Sequence, residues 1–135
     1  MKHAYSRSKS LAMHAVLAVV ALAILSTAAR AHAVLVASSP KDNSVVTIAP
    51  KSVMLKFDAR IEKRVTQVTL LDAKGHKVAL PPAPKGYRGG LPNQIIVPMP
   101  KLSAGAYRLE YQVMATDGHL APGLIRFTIA PRKTK

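Results

Sequence analysis

From Ala33 to the C-terminus, apolar residues return at every second position rather than at every third or fourth. Val53, Leu55 and Phe57 alternate with Met54 and Lys56. Tyr107, Leu109, Tyr111 and Val113 alternate with Arg108, Glu110 and Gln112, and Ile125, Phe127 and Ile129 alternate with Arg126 and Thr128. Successive side chains of a strand point to opposite faces, so this pattern sends one set into a core and the other toward water. No long segment carries the 3.6-residue repeat of an amphipathic helix. Further strands are expected at about 33–38, 66–72, 76–80 and 94–99. Turn signals separate them: Ser39-Pro40-Lys41-Asp42-Asn43, Ala73-Lys74-Gly75, and the Pro/Gly-rich run from Pro81 to Pro92. Many short strands with frequent turns predict an all-β fold, an immunoglobulin-like β-sandwich of about seven strands. Leu102-Ser103-Ala104-Gly105-Ala106-Tyr107 reads as a tyrosine corner, in which the phenol hydroxyl bonds back to upstream backbone.

The first 31 residues follow a different rule. Lys2, Arg7 and Lys9 form a basic start, Leu11 to Leu25 is apolar apart from His14, and Ala29-Arg30-Ala31 is a small-x-small tripeptide. That order is the pattern of a secretory signal peptide, and a membrane anchor would need ~20 apolar residues. Residues 1–31 are therefore expected to be a signal peptide cleaved after Ala31, with 32–135 as one exported, periplasmic domain. His32 then becomes the first residue of the mature chain. The signal takes four of the 20 Lys/Arg and none of the 6 Asp/Glu, so the mature net charge is 16 − 6 = +10. Export argues against nucleic acid as the partner of this charge, and the basic residues are scattered as on a solvated surface. The tail from Arg132 to Lys135 is expected to fray.

The chain has no cysteine. Disulfides are excluded, and so is thiolate ligation of zinc, Cu(I) or iron–sulfur clusters. Any metal must be held by His, Asp, Glu, Met or backbone. His3 and His14 leave with the signal, and His32, His76 and His119 remain.

His119 follows Asp117 and Gly118. In an extended segment, residues two apart share a side, so this triplet can aim a carboxylate and an imidazole at one point. An ordinary Asp-Gly turn followed by an exposed His has the same sequence. A cleaved His32 adds weight to the first reading, because its α-amine and imidazole Nδ1 can close a six-membered chelate ring. With His119 that makes three nitrogens, and Asp117 can supply an oxygen. Such a set suits tetragonal Cu(II), while zinc could occupy it less tightly. His76, in Lys74-Gly75-His76-Lys77, has no free amine beside it and reads as a hairpin tip.

These same residues carry a resemblance. His32-Ala33-Val34-Leu35-Val36-Ala37-Ser38-Ser39-Pro40, Val53-Met54-Leu55-Lys56-Phe57, Leu102 to Tyr107, and Thr116-Asp117-Gly118-His119 with Gly123 and Phe127 resemble the CopC family of periplasmic copper-binding proteins. The likeness spans nearly all of residues 32–131. It implies a seven-stranded Greek-key sandwich with Cu(II) bound by His32 (amine and ring), Asp117 and His119. It also implies a role in copper resistance or homeostasis, and delivery to a membrane protein of the CopD type. There are two departures from the family pattern. Some relatives bind Cu(I) through a Met-rich stretch, whereas Met54, Met99 and Met114 are widely spaced here. Many relatives also place an acidic residue shortly after the Phe of the second strand, where Asp58 stands one position early as a ligand-orienting candidate.

Three functions compete. The first is a monomeric, non-catalytic copper(II) carrier or buffer. The second is a copper monooxygenase built on an N-terminal His; a short chain without Trp and a position taken by Asp117 argue against it. The third is an immunoglobulin-like interaction module without metal.

Overall fold

The structure is a computed structural model. It describes residues 33–131 except Lys85 and Arg88. The chain divides into two units, Met1–Ala31 and His32–Lys135, and the described residues belong to the second. The expected signal peptide, His32 and the tail from Arg132 lie outside the described residues.

Eight strands follow one another without a helix among the described residues: β1 Leu35–Ser39, β2 Ser44–Val46, β3 Ser52–Phe57, β4 Gln67–Asp72, β5 Lys77–Val78, β6 Gln94–Pro98, β7 Gly105–Met114 and β8 Leu120–Ile129. They form a three-stranded sheet of order β1-β3-β6 and a five-stranded sheet of order β2-β8-β7-β4-β5. The β-sandwich expected from the sequence is thus present, with one strand more than the seven anticipated. The additional strand is β2, whose three residues pair parallel to β8, Ser44 opposite Phe127 and Val46 opposite Ile129. Three residues are too few to show an alternation. The segment predicted at 76–80 pairs with β4 only at Lys77 and Val78.

The alternating residues fill the space between the sheets. Val53, Leu55, Leu70, Ile95, Val97, Leu109, Val113 and Ile125 are fully buried, and Phe57 and Phe127 lie among them. Each buried aliphatic or aromatic side chain contributes ~1.5–3 kcal/mol relative to exposure, and in a chain without disulfides this core is the main source of stability. Two ring pairs knit it together. Phe57 meets Tyr111 edge-on at 5.6 Å, and Tyr107 stacks on Phe127 at 5.7 Å. The tyrosine corner forms as expected, the Tyr107 hydroxyl donating to the Ser103 carbonyl at 3.0 Å. Met99 is buried in the core, which gives this thioether a packing role.

The long β7–β8 hairpin is paired from Gly105 with Ile129 to Met114 with Leu120. Its tip, residues 115–119, stands at the end of the sandwich where β3 finishes. The candidate residues Asp117 and His119 belong to this tip.

Candidate functional site

Strand β7 cannot simply turn into β8, because five residues intervene. Their loop closes on its own backbone. The Gly118 amide donates to the Ala115 carbonyl and the Ala115 amide to the His119 carbonyl, each at 2.9 Å. Gly118 takes φ +89°, a conformation that side-chain-bearing residues rarely adopt. Asp117 then caps the loop. Its Oδ1 accepts the His119 backbone amide at 3.0 Å and lies 3.3 Å from the His119 Nδ1. The backbone amide of His119 foremost, helped by its ring, holds the Asp117 carboxyl below its usual range, against a smaller opposing effect of desolvation. At neutral pH the loop therefore presents a carboxylate beside an imidazole, both open to solvent.

This pairing passes a simple chemical test. Two donors at neighbouring corners of a tetragonal ion, with bonds of ~2.0–2.1 Å, lie about 2.9 Å apart. The 3.3 Å between Oδ1 and Nδ1 is close to that spacing. Among the described residues, no group of three His, Asp or Glu converges. Asp117 and His119 come together, His76 stays apart on the β4–β5 turn against Asp72, and His32 precedes the described residues.

The start of β1 is brought to the same end of the molecule by the segment that follows β3. Asp58 Oδ1 accepts the Val34 amide at 2.8 Å, and the Asp58 amide donates to the Val34 carbonyl at 2.9 Å. Three residues on, Ile61 bridges to Ala115, the Glu62 amide donates to the Met114 carbonyl at 2.8 Å, and the Thr116 amide donates to the Arg60 carbonyl at 3.3 Å. Residues 58–62 thus hold both the backbone two residues after His32 and the loop carrying Asp117 and His119. No regular element is expected at 58–62 from the sequence, where Asp58 stands out as a ligand-orienting candidate and Ile61 as an apolar residue among charged neighbours. Ile61 is buried, and that burial makes the segment a clasp rather than a solvated loop. Asn93 adds to it, its side-chain amide donating to the Phe57 carbonyl at 2.7 Å.

Comparison with known proteins gives a consistent result. The family model for the CopC domain matches residues 35–130. Copper resistance protein C of Xanthomonas campestris pv. juglandis is 34% identical over 117 residues, covering 82% of this chain and 89% of that protein. The crystal structure of CopC from Methylosinus trichosporium OB3b superposes with a TM-score of 0.68 at 29% identity, over 77% of this chain and 99% of that one. PcoC of Escherichia coli, described as a methionine-rich copper resistance protein, superposes with a TM-score of 0.62 at 28% identity, over 73% and 99% of the two chains.

Proposed function

The chain belongs to the CopC family, and from that premise we propose that it is an exported copper(II)-binding protein that carries or buffers the ion in the periplasm. The ion is its cargo. Cleavage after Ala31 leaves His32 to bind through its amine and its ring, and Asp117 and His119 supply the remaining donors. The protein acts without catalysis and passes copper to a membrane protein of the CopD type. It works as a monomer.

One observation carries this reading. The segment 58–62 fastens the backbone at Val34 and the backbone at Thr116 to one end of the sandwich. Both tethers lie within one five-residue segment, which supports a site shared by the chain start and the β7–β8 tip. Asp117, already anionic, offsets part of the charge of a divalent ion, and the His119 ring adds a nitrogen. Met54, Met99 and Met114 lie on β3, at the end of β6 and on β7, and Met99 is buried. Their separation favours one Cu(II) site over a thioether site for Cu(I).

The test is titration of the exported, processed protein with Cu(II), followed by electron paramagnetic resonance. One ion per chain with a nitrogen-rich tetragonal spectrum is expected. His119→Ala should weaken binding and alter the spectrum while leaving circular dichroism unchanged. Copper affinity should fall on mild acidification, because protons compete for the amine and both imidazoles. An unaltered spectrum in His119→Ala overturns the ligand set.

A further inference from the structure

A second feature lies on the outer face of the five-stranded sheet, away from the β7–β8 tip. Arg108 on β7 and Arg126 on β8 are direct register partners. Opposed residues of an antiparallel pair point to the same face, with Cα atoms ~4.5–5.5 Å apart. Leu71 on β4 pairs with Arg108, and Lys77 on β5 pairs with Leu71, so a third cation belongs to the same row. Like charges placed directly opposite are destabilising on a sheet. A row of this kind therefore calls for a compensating charge.

The compensation within the chain is partial. Arg108 Nε meets Glu110 Oε1 at 2.9 Å. Arg126 forms no salt bridge with any described carboxylate. Two further acids are committed elsewhere. Asp42 accepts the Arg126 backbone amide through Oδ1 and the Asn43 side-chain amide through Oδ2. Asp72 accepts the Lys74 and His76 amides through Oδ1 and faces the His76 ring through Oδ2. Between these groups is an open cleft of about 340 Å³ above the small side chain of Ala106. Arg108, Arg126, Asn43, Thr128 and Asp72 line it with polar atoms, together with the β4–β5 turn.

We propose that this cleft binds a phosphate-type oxyanion through the paired guanidinium groups of Arg108 and Arg126. Two forks on one face can each give a bidentate contact to a tetrahedral anion, and charge assistance makes such contacts roughly twice as strong as neutral ones. Asn43 and Thr128 stand at the rim as further donors. The anion cancels the repulsion between the two arginines, so binding and sheet stability reinforce each other. Along β7, Arg108 lies eight positions before Thr116, on the order of 25 Å at the rise of a strand. The cleft therefore operates independently of copper. The same chemistry is offered by free phosphate and by the headgroups of anionic phospholipids.

Amide shifts of the processed protein, titrated with inorganic phosphate against chloride at matched ionic strength, provide the test. Saturable phosphate-specific shifts are expected at Asn43, Arg108, Arg126 and Thr128. Arg108→Gln with Arg126→Gln should weaken the interaction at least tenfold. Lys51→Gln with Lys101→Gln, which removes equal charge elsewhere, should leave it within twofold, and Cu(II) binding should be unchanged in both double variants. Vesicles of phosphatidylglycerol and phosphatidylcholine then identify the source. Arginine-dependent sedimentation with the anionic vesicles assigns the cleft to a headgroup, and its absence beside phosphate saturation assigns it to the free anion. Shifts that do not saturate, or equal losses in the two double variants, reduce the effect to diffuse charge and overturn the proposal.

Discussion

Asp58 shows how much a single side chain can position. Its carboxylate and its own amide grip both polar groups of Val34, so removing the carboxylate frees one bond of a reciprocal pair. Asp58→Ala should leave the fold intact and lower copper affinity several-fold, because the chain leading to His32 is less well held. Asp58→Asn keeps an acceptor oxygen and should restore most of it. Equal copper affinities in all three proteins would reduce Asp58 to a surface residue. Gly123 is constrained by packing rather than by dihedral angle. A Cβ there would overlap the Tyr111 hydroxyl and ring, and that ring is already pinned edge-on against Phe57. Gly123→Ala should therefore destabilise the protein by ~1–3 kcal/mol, the usual cost of overpacking, measurable as a lower urea midpoint. An unchanged midpoint would mean that the ring moves aside without cost.

At the scale of elements, two connections depend on polar groups more than on burial. The β4–β5 turn is organised by Asp72, whose carboxyl is held below its usual range, first by the His76 backbone amide and then by the Lys74 amide and the His76 side chain, with desolvation opposing. A carboxyl depressed in the folded state stabilises above its unfolded pKa, and that contribution is lost as pH falls through the folded value. The Lys74 and His76 amide resonances should therefore move together on acidification, with a midpoint below that of a free aspartate. A midpoint at or above the ordinary value contradicts the capping role. The proline-rich connection before β6 is tied down by Lys63, whose ammonium donates to the Gly89 and Gly90 carbonyls at 2.8 and 3.1 Å. Gly86 in that connection has φ +73°, and a Cβ there would meet the Lys63 carbonyl and the Arg64 backbone.

For the whole molecule, the proposed cleavage before His32 would make export and metal binding one event. An ion that binds only the native state stabilises it by RT ln(1 + [L]/Kd), about 2.7 kcal/mol when the ion is at 100 times Kd. For a domain of this size that corresponds to a melting temperature raised by roughly 10–20 °C. The processed protein should show this rise with Cu(II). A form with an N-terminal extension before His32 should lose most of it, since an acylated amine cannot complete the chelate. An equal rise in both forms would place copper elsewhere.

The sandwich is legible in the sequence because its information is local. A period of two marks the inward faces of β3, β7 and β8, and Leu102 to Tyr107 marks the corner that Tyr107 makes with Ser103. The absence of cysteine and the residue types at 117 and 119 restrict the chemistry in the same local way. The remaining features join residues far apart in the chain. Ser44–Val46 is a strand only because β8 offers it a parallel edge. Asp58 reaches Val34, Arg60 reaches Thr116, and Arg108 faces Arg126 because strand register brings them together. Register follows from how two sheets close over a shared core. Residue patterns set which face each side chain takes, but the neighbour it meets on that face follows only from the packed whole.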